Sequence, residues 1–341
     1  MKQNTRFFHR ESETTTKVTC SACAFNCRLE DGQKGLCGVR HNENGTLLND
    51  VYGKVAALDI DPIEKKPFYH FKPGKQALSI GTVGCNFDCD FCQNAGLSKS
   101  TKGDVDAMKV IDSSSDDIPP DEVVEICKRR NIPIIAYTYN EPIINVEYIL
   151  DTAKLARNEG IRNVLVTNGY HSRVSREALA PYIDAVNIDL KAFSKEFYKK
   201  RCKASLQPVL DTIEFYHREG VWVEVTTLII PDENDSDEEL AGIASFLAEL
   251  DPTIPWHVSA FHPHHRMMDH PPATPEHLKK AYRIGKEKGV KHIYLGNVYE
   301  PEFASTCCPE CGAKVIGRLP QLEGAVDGTC PECGYDVEGV W

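Results

Sequence analysis

The sequence predicts an α/β fold: a partial (β/α) barrel of TIM type with about six repeats and two small Cys-rich appendages. Residues 77–297 alternate short runs rich in β-branched and aromatic residues with amphipathic runs of helical period. Strands separated by helices of this kind form βαβ units around a parallel sheet. The predicted strands are 77–82, 134–139, 163–167, 185–190, 222–230, 256–261 and 292–296, and the predicted helices include 121–130, 144–159, 235–249 and 275–288.

Polar residues at the strand ends favour a barrel over an open doubly wound sheet, the other architecture that this pattern allows. In (β/α) barrels the chemistry is assembled at the C-terminal edge of the strands. Polar residues lie at or just beyond the ends of successive predicted strands, in the order Cys85, Glu141, Asn168, Asp189, Lys191, Thr227, His262 and Asn297. We therefore expect the functional site at this edge.

Two further segments have a distinct composition. Residues 103–120 are acidic and Ser-rich, which predicts a loose surface loop. Histidines recur within residues 262–270, where they would bind a metal or act in acid–base steps, or simply belong to a Pro-rich loop that closes the barrel mouth. We favour the loop.

Composition excludes several functional classes. The chain has 341 residues and a net charge of −11. No apolar run approaches the roughly 20 residues of a transmembrane helix, and residues 1–16 lack the apolar core of a signal peptide. We expect a cytoplasmic protein without a membrane partner. Nucleic-acid binding is disfavoured because no basic block offsets the negative charge.

Cysteine is the unusual residue, with 14 copies. Clustered thiols in a cytoplasmic chain indicate metal or iron–sulfur ligands rather than disulfides. Three clusters divide the chain into a Cys-rich N-terminal region (1–75), a barrel (76–300) and a C-terminal tail (301–341). Cys127 and Cys202 stand apart and are predicted to be ordinary buried residues.

The central cluster consists of Cys85, Cys89 and Cys92, spaced C-x3-C-x2-C directly after the first predicted strand. Three thiolates leave one iron of a four-iron cube open to a substrate, whereas a cube with four cysteines typically only transfers electrons. Gly84 allows a sharp turn off the strand, and Phe91 can shield the cluster. A zinc knuckle is the alternative, but it needs a fourth ligand. The spacing therefore predicts a [4Fe–4S] cluster.

The C-terminal cluster has the spacing of a zinc ribbon. Two C-P-E-C-G turns supply Cys308 with Cys311 and Cys330 with Cys333, and Cys307 is left over. Such a closed site folds a tail that is too short to build its own core. We predict zinc with a structural or partner-docking role, and a second redox cluster is the alternative.

The N-terminal cluster is less specific. Cys20, Cys23, Cys27 and Cys37 follow the pattern C-x2-C-x3-C-x9-C. Four thiolates can hold structural zinc or an auxiliary [4Fe–4S] cluster. Of the two, zinc is preferred.

With Phe91 directly before Cys92, the central loop resembles the signature of radical S-adenosylmethionine (SAM) enzymes, and the wider stretch is similar to the pyruvate formate-lyase activating enzyme group. The resemblance implies that the amino and carboxylate groups of SAM chelate the open iron. It implies that one-electron reduction then yields a 5′-deoxyadenosyl radical, which abstracts hydrogen from a substrate. An electron donor such as flavodoxin or ferredoxin is the implied partner.

Further motifs match this family in chain order. The YNEP motif at 139–142 occupies the place of the family's Gly-Gly-Glu-Pro, and Glu141 is implied to accept a hydrogen bond from the SAM amino group. Asn168 is implied to contact the ribose or carboxylate of SAM. Asp189 and Lys191 are implied to lie near the sulfonium and the substrate. Tyr and Asn replace the two glycines, so backbone contacts there differ from the family pattern.

Over nearly its full length the chain resembles one branch, the radical SAM component of the AmmeMemoRadiSam set. The resemblance rests on segments 35–40, 61–67, 69–74 and 79–85. It implies Memo-like and AMMECR1-like proteins as partners and names no substrate, because a fold does not carry a substrate with it. A glycyl-radical-enzyme activase is the alternative within the class. A non-catalytic zinc-ribbon binding module is the alternative from another class.

Overall fold

The structure is a computed structural model that describes residues 3–12, 15–103 and 105–341. Within these residues the largest sheet has eight strands, and its seven parallel strands follow one another in sequence order. They are β1 (Gln76–Gly81), β2 (Ile134–Tyr137), β3 (Arg162–Thr167), β4 (Ala185–Asp189), β5 (Trp222–Ile229), β6 (Trp256–Ala260) and β7 (Ile293–Gly296). Strand Ala57–Pro62 pairs antiparallel with β1 and forms one edge.

This strand order decides between the two predicted architectures. A doubly wound sheet reverses its strand order at a switch point, whereas these parallel strands advance without reversal from β1 to β7. Strand Ala57–Pro62 and β7 are the two edges in the described part of the chain and do not pair with each other. The sheet is therefore an open, partial (β/α) barrel.

Helices connect successive strands and cover the sheet. They are α1 (Pro120–Arg130), α2 (Val146–Asn158), α3 (Arg173–Leu179), α4 (Gln207–Arg218), α5 (Asp237–Leu250) and α6 (Pro275–Glu287). Ser172 and Ser236 cap α3 and α5 by accepting hydrogen bonds from backbone N–H groups. Short turns of helix are Ile63–Lys65, Ala95–Ser98, Pro142–Asn145, Ala180–Tyr182 and Lys195–Phe197, and a π-helical turn spans Tyr198–Cys202. No helix of the described residues is long and apolar enough to cross a membrane.

The prediction of a loose loop at 103–120 is wrong in part. Helix Ala107–Ser114 lies within this segment, and the side chain of Asp106 caps it by accepting a hydrogen bond from the Lys109 N–H. Ala107 and Ile111 are four residues apart, so they share one helix face, and both are fully buried. Burial of this apolar face stabilises the helix, although the segment as a whole has the polar composition of a loop. Strand Asp116–Asp117 then pairs with Lys54–Val55.

The N-terminal region forms two small antiparallel sheets. One contains Gln3–Asn4, Arg40–Glu43 and Thr46–Asn49, and the other contains Phe8–Arg10, Val18–Cys20 and Arg28–Leu29. A buried ion pair fixes this region to α2: Arg40 Nη1 donates to Glu147 Oε1 at 3.1 Å, and Nη2 donates to Oε2. Arg40 Nε also donates to the Ile144 carbonyl at 2.8 Å.

An Arg40→Ala variant is expected to lose about 3–5 kcal/mol of unfolding free energy, because it leaves the buried Glu147 carboxylate without its charged partner. Urea denaturation measures the loss. Arg6→Ala is the matched control, since Arg6 pairs with Asp151 on the same helix while half exposed, and that pair contributes less than about 1 kcal/mol. Equal losses in the two variants would contradict the prediction.

The C-terminal tail closes the barrel at the edge opposite the strand C-termini. Its sheet contains Thr306–Cys307, Lys314–Gly317 and Glu323–Gly324. Val340 N–H donates to the His70 carbonyl at 2.7 Å, and His70 Nε2 lies 2.5 Å from the Tyr294 hydroxyl. The backbone N–H groups of Tyr69 and His70 donate to Glu224, near the start of β5. The tail is thus anchored at the N-terminal ends of the strands.

Candidate active site and metal centres

A cavity of about 390 Å³ lies at the C-terminal edge of the strands, a volume typical of ligand pockets. All residues proposed from the central motifs line it: Cys85, Cys89, Cys92, Glu141, Asn168, Asp189 and Lys191. They lie at the ends of four successive strands, β1 to β4, or in the loops that follow them. The fold therefore brings together residues that are far apart in the chain.

A tight turn and several side-chain contacts define the conformation of the cysteine loop after β1. Gly84 has a positive φ of 89°, and a Cβ there would lie 2.7 Å from a Val39 methyl carbon, so this turn requires glycine. Lys99 and Lys102 both donate from Nζ to the Phe87 carbonyl, at 2.8 and 2.9 Å. Arg266 donates to Asp88 at 2.9 Å. These contacts hold the loop with its thiols against the cavity.

The electrostatic environment differs between these thiols. Burial raises the pKa of Cys85 to about 12. A hydrogen bond from the Cys202 thiol lowers the pKa of Cys89 to about 7, and the nearby Lys191 ammonium favours the thiolate as well. Burial alone would lower the pKa of Lys191, but the charges of Asp189 and Cys89 outweigh it and hold that pKa above its ordinary value. The surroundings therefore favour the thiolate at Cys89, whereas burial disfavours it at Cys85.

Cys202 is a site residue that the sequence did not reveal. It is fully buried, as expected for an ordinary core cysteine, but it lowers the pKa of the Cys89 thiol. The π-helical turn Tyr198–Cys202 places it there, and the Asp88 N–H donates to the Cys202 carbonyl at 3.2 Å. A lone cysteine carries no motif, so only the tertiary structure identifies it.

A Cys202→Ala variant is expected to retain its iron but to lower the midpoint potential of the cluster by on the order of 50 mV. The reason is that hydrogen bonds to sulfur stabilise the more anionic reduced state. Redox titration followed by EPR measures the shift. Cys202→Ser should restore much of it because a hydroxyl also donates, and Cys127→Ala removes an equally buried thiol on α1 as a control. An unchanged potential in Cys202→Ala would refute this role.

Glu141 is almost completely buried and accepts three hydrogen bonds from the chain. They come from the Asn168 N–H at 2.7 Å, the Thr167 hydroxyl at 2.8 Å and the Ile143 N–H at 3.0 Å. The carboxylate therefore holds the ends of β2 and β3 together, whatever else it binds. Tyr139 adopts a left-handed φ of 71°, at a position where the resembled motif has glycine.

Asn168 links the β3 end to the cysteine loop. Its Nδ2 donates to Asn86 Oδ1 at 2.8 Å, and Asn86 directly follows Cys85. Asp189 and Lys191 form an ion pair at 2.8 Å beside the cavity. The Lys191 ammonium lies 5.8 Å from the centre of the Phe91 ring, which is itself buried against Phe197.

The expectation that Thr227 faces the site is wrong. Its hydroxyl donates to the Leu190 carbonyl at 2.8 Å and accepts from Trp256 Nε1 at 2.9 Å. Thr226 and Leu228 line the cavity instead, because successive side chains of a strand alternate between its faces.

The His-containing segment 262–270 forms part of the rim. His262 and His264 line a neighbouring space together with Gln93 and Asn297, and those last two residues also line the main cavity. His270 instead contacts Asp269 and Glu233. Residues 262–270 form neither helix nor strand, as expected for a loop at the barrel mouth.

The C-terminal cysteines form the predicted four-ligand site. Cys308 and Cys333 lie 3.6 Å apart between sulfurs, as do Cys311 and Cys330, and all four sulfurs lie within 4.8 Å of one another. This spacing suits a single tetrahedral ion. The exposed Cys307 is not part of the group.

The N-terminal cysteines meet around a second, separate cavity. Cys20, Cys23, Cys27 and Cys37 all line it, together with Arg40 and Asn86. Among the described residues, however, no three of these four sulfurs come within 4.8 Å of one another, in contrast to the C-terminal site.

Comparisons with known proteins agree with this site. Residues 79–247 match the model of the radical SAM superfamily. The chain belongs to this superfamily and is a radical SAM enzyme. It is 43% identical over 303 residues to the uncharacterized protein MJ0808 of Methanocaldococcus jannaschii, covering 89% of this chain and 88% of that protein.

Two further relatives are more distant. The pyruvate formate-lyase-activating enzyme of Clostridium pasteurianum is 21% identical over 222 residues, which cover 62% of this chain and 88% of that enzyme. The crystal structure of Streptococcus suis SuiB bound to S-adenosylmethionine has a TM-score of 0.50 at 13% identity and covers 70% of this chain and 53% of that one. The second likeness concerns the fold alone.

Membership of the superfamily implies a [4Fe–4S] cluster and SAM, and the residues present fit both groups. Three free thiols on one loop line a cavity with room for a ligand, and the partly buried Lys191 ammonium lines the same cavity. The alternative of a non-catalytic zinc-ribbon module is wrong, because the chain is a radical SAM enzyme.

Proposed function

We propose that Cys85, Cys89 and Cys92 hold the [4Fe–4S] cluster and that SAM binds in the same cavity. When bound, the cluster supplies the electron that cleaves SAM to a 5′-deoxyadenosyl radical, which abstracts hydrogen from a protein or small-molecule substrate. The observation that carries this proposal is the joint lining of one 390 Å³ cavity by the three thiols and by Glu141, Asn168, Asp189 and Lys191.

The residues around the thiols have distinct tasks in this proposal. Glu141 keeps the ends of β2 and β3 in place and, of about four lone-pair sites, has one left to accept from the SAM amino group. Asn168, tied to Asn86, contacts the ribose or carboxylate of SAM. The Asp189–Lys191 pair lies on the substrate side of the cavity and orients polar groups there. Phe91 excludes water from the thiols.

The C-terminal site holds zinc in this proposal and stabilises the tail. Its four sulfurs have the close spacing of a tetrahedral ion, and the tail is anchored at the strand N-termini, away from the cavity. In (β/α) barrels that edge contributes stability rather than chemistry.

For partners, we propose a one-electron donor of the flavodoxin or ferredoxin type and, following the branch resemblance, Memo-like and AMMECR1-like proteins. Two of the segments on which the branch resemblance rests contain buried ion pairs. Arg40, in segment 35–40, forms the buried ion pair with Glu147, and Lys66, in segment 61–67, pairs with Asp61 at 2.9 Å. These residues tie the N-terminal region and strand Ala57–Pro62 into one body with the barrel.

The experiment is a 5′-deoxyadenosine assay with the anaerobically reconstituted enzyme, SAM and dithionite. Memo-like and AMMECR1-like proteins are added singly and together, and bovine serum albumin serves as a control. We expect the matching partner to raise the rate severalfold above the partner-free rate. Equal rates in all mixtures would reject these partners, and absence of 5′-deoxyadenosine altogether would reject the site.

Activation of a glycyl-radical enzyme is the second candidate, supported by the similarity to the Clostridium pasteurianum activating enzyme. Mixing a glycyl-radical enzyme with the reduced protein and SAM tests it directly. A glycyl-radical EPR doublet would establish this activity. Its absence, while 5′-deoxyadenosine still forms, would remove the candidate and leave the main proposal standing.

A further inference from the structure

We propose that the N-terminal cysteines Cys20, Cys23, Cys27 and Cys37 hold a second [4Fe–4S] cluster rather than zinc. The four cysteines line one cavity between the N-terminal region and the barrel, and all four are free. The ligand set therefore suits either metal, so the spacing of the sulfurs has to decide between them.

The two metals require different sulfur spacings. Zinc–sulfur bonds of about 2.3 Å in a tetrahedron bring the four sulfurs to about 3.8 Å from one another. In a four-iron cube each cysteine binds a different corner, so the sulfurs stand roughly 6 Å apart. A single ion thus draws its ligands together, whereas a cube holds them apart.

Two other cysteine groups of this chain serve as references, one for a single ion and one for a four-iron cube. The C-terminal sulfurs lie 3.6 Å apart in pairs and all within 4.8 Å, as a single ion requires. Cys85, Cys89 and Cys92, which supply the cluster ligands of a radical SAM enzyme, do not meet that limit, although they line one cavity. The N-terminal four resemble the second group. They line one cavity, but they are not among the cysteines whose sulfurs lie within 4.8 Å of one another.

The surroundings of this space also suit a cluster. A Cβ at Gly35 would lie 3.8 Å from both the Cys27 and the Cys37 sulfur, so these two sulfurs flank the same open position. Asn86 is 97% buried and lines the cavity, and its Nδ2 has no hydrogen-bond partner among the described residues. A buried amide donor beside a sulfur-lined space suits an iron–sulfur cluster, because hydrogen bonds to the sulfurs tune such clusters.

Asn86 also places the second site beside the first. Its Oδ1 accepts from Asn168 and lies 3.8 Å from the Cys85 sulfur. One side chain therefore lies beside the Cys85 sulfur and also lines the N-terminal cavity. The two cysteine sites are neighbours in space although strands and turns separate them in the chain.

The test removes the active-site cluster and asks what iron remains. The full-length Cys85→Ala/Cys89→Ala/Cys92→Ala variant is reconstituted anaerobically with iron and sulfide, and iron, sulfide and zinc are counted per chain. We expect about four irons in this variant and about eight in the native chain. After dithionite reduction, the variant should show a cluster EPR signal that SAM does not change, because its irons are all ligated by protein.

A second variant locates the remaining iron. Cys20→Ser and Cys37→Ser are added to the triple variant, and Cys127→Ser, which alters a buried cysteine on α1, is the matched control. The remaining iron should disappear with the first change and persist with the second. Far-UV circular dichroism confirms that each chain is folded.

Two results would overturn the inference. One is a triple variant that holds no iron but two zinc ions, of which one is lost with Cys20 and Cys37. The other is iron that persists after both have been replaced. Neither result depends on SAM cleavage, so failure of the proposed function would leave this test unaffected.

Discussion

A Cys89→Ala variant is expected to lose the active-site cluster and to form 5′-deoxyadenosine at least about a thousandfold more slowly than the native chain. The cofactor carries the difficult chemistry in such enzymes, and the protein cannot replace it. Cys89 is buried in the middle of the loop and is the thiol whose pKa Cys202 and Lys191 lower. Its loss removes one of the three proposed ligands and leaves only Cys85 and Cys92 as thiols on that loop.

Iron content after anaerobic reconstitution and chromatographic detection of 5′-deoxyadenosine measure the two effects. Cys127→Ala is the matched control, since it removes a buried thiol elsewhere in the barrel and should change neither quantity. Near-native 5′-deoxyadenosine formation by Cys89→Ala would contradict the assignment of the loop.

A Cys330→Ala variant is expected to lose the metal of the C-terminal site and to lower the melting temperature by roughly 10 °C. Metal binding supplies most of the folding free energy of short structural zinc modules. A loss of several kcal/mol, at about 2–4 °C per kcal/mol for domains of 150–250 residues, accounts for this shift. The tail packs a small core that includes Cys308, Val315, Ile316 and Cys330, which is too little to hold its shape alone.

Differential scanning calorimetry and limited proteolysis within residues 301–341 measure this effect. Cys307→Ala is the matched control, because Cys307 is exposed and lies outside the four-sulfur group. The active-site iron should remain in Cys330→Ala, since the tail is anchored at the opposite edge of the strands. If Cys330→Ala lost the active-site iron but kept the native melting temperature, the C-terminal site would not have the structural role predicted here.

The barrel was largely predictable from local sequence. Each predicted parallel strand overlaps an observed one, because buried parallel strands are short apolar runs with turn residues between them. Periodicity also identified α1, α2, α5 and α6. It missed helix Ala107–Ser114, where a polar composition hid two buried apolar residues.

The candidate site was predictable only where its residues belong to motifs. Cys85, Cys89 and Cys92 lie within one loop, and the residues at the ends of β2, β3 and β4 follow from the strand order. Cys202 carries no such signal, because its partner Cys89 lies far away in the chain. Thr227 was misplaced because the face of a strand residue depends on its register in the sheet.

By itself, the sequence determined the barrel, the three-thiol loop and the existence of two further groups of four cysteines, because each depends on spacing within a short stretch of chain. Only the tertiary structure decided how far apart the sulfurs of each group lie. The sulfurs of the C-terminal four lie within 4.8 Å of one another, whereas the N-terminal four line a cavity that Asn86 also lines. The physical reason is that sulfur-to-sulfur distances depend on how separate turns pack together, and spacing along the chain does not specify that packing.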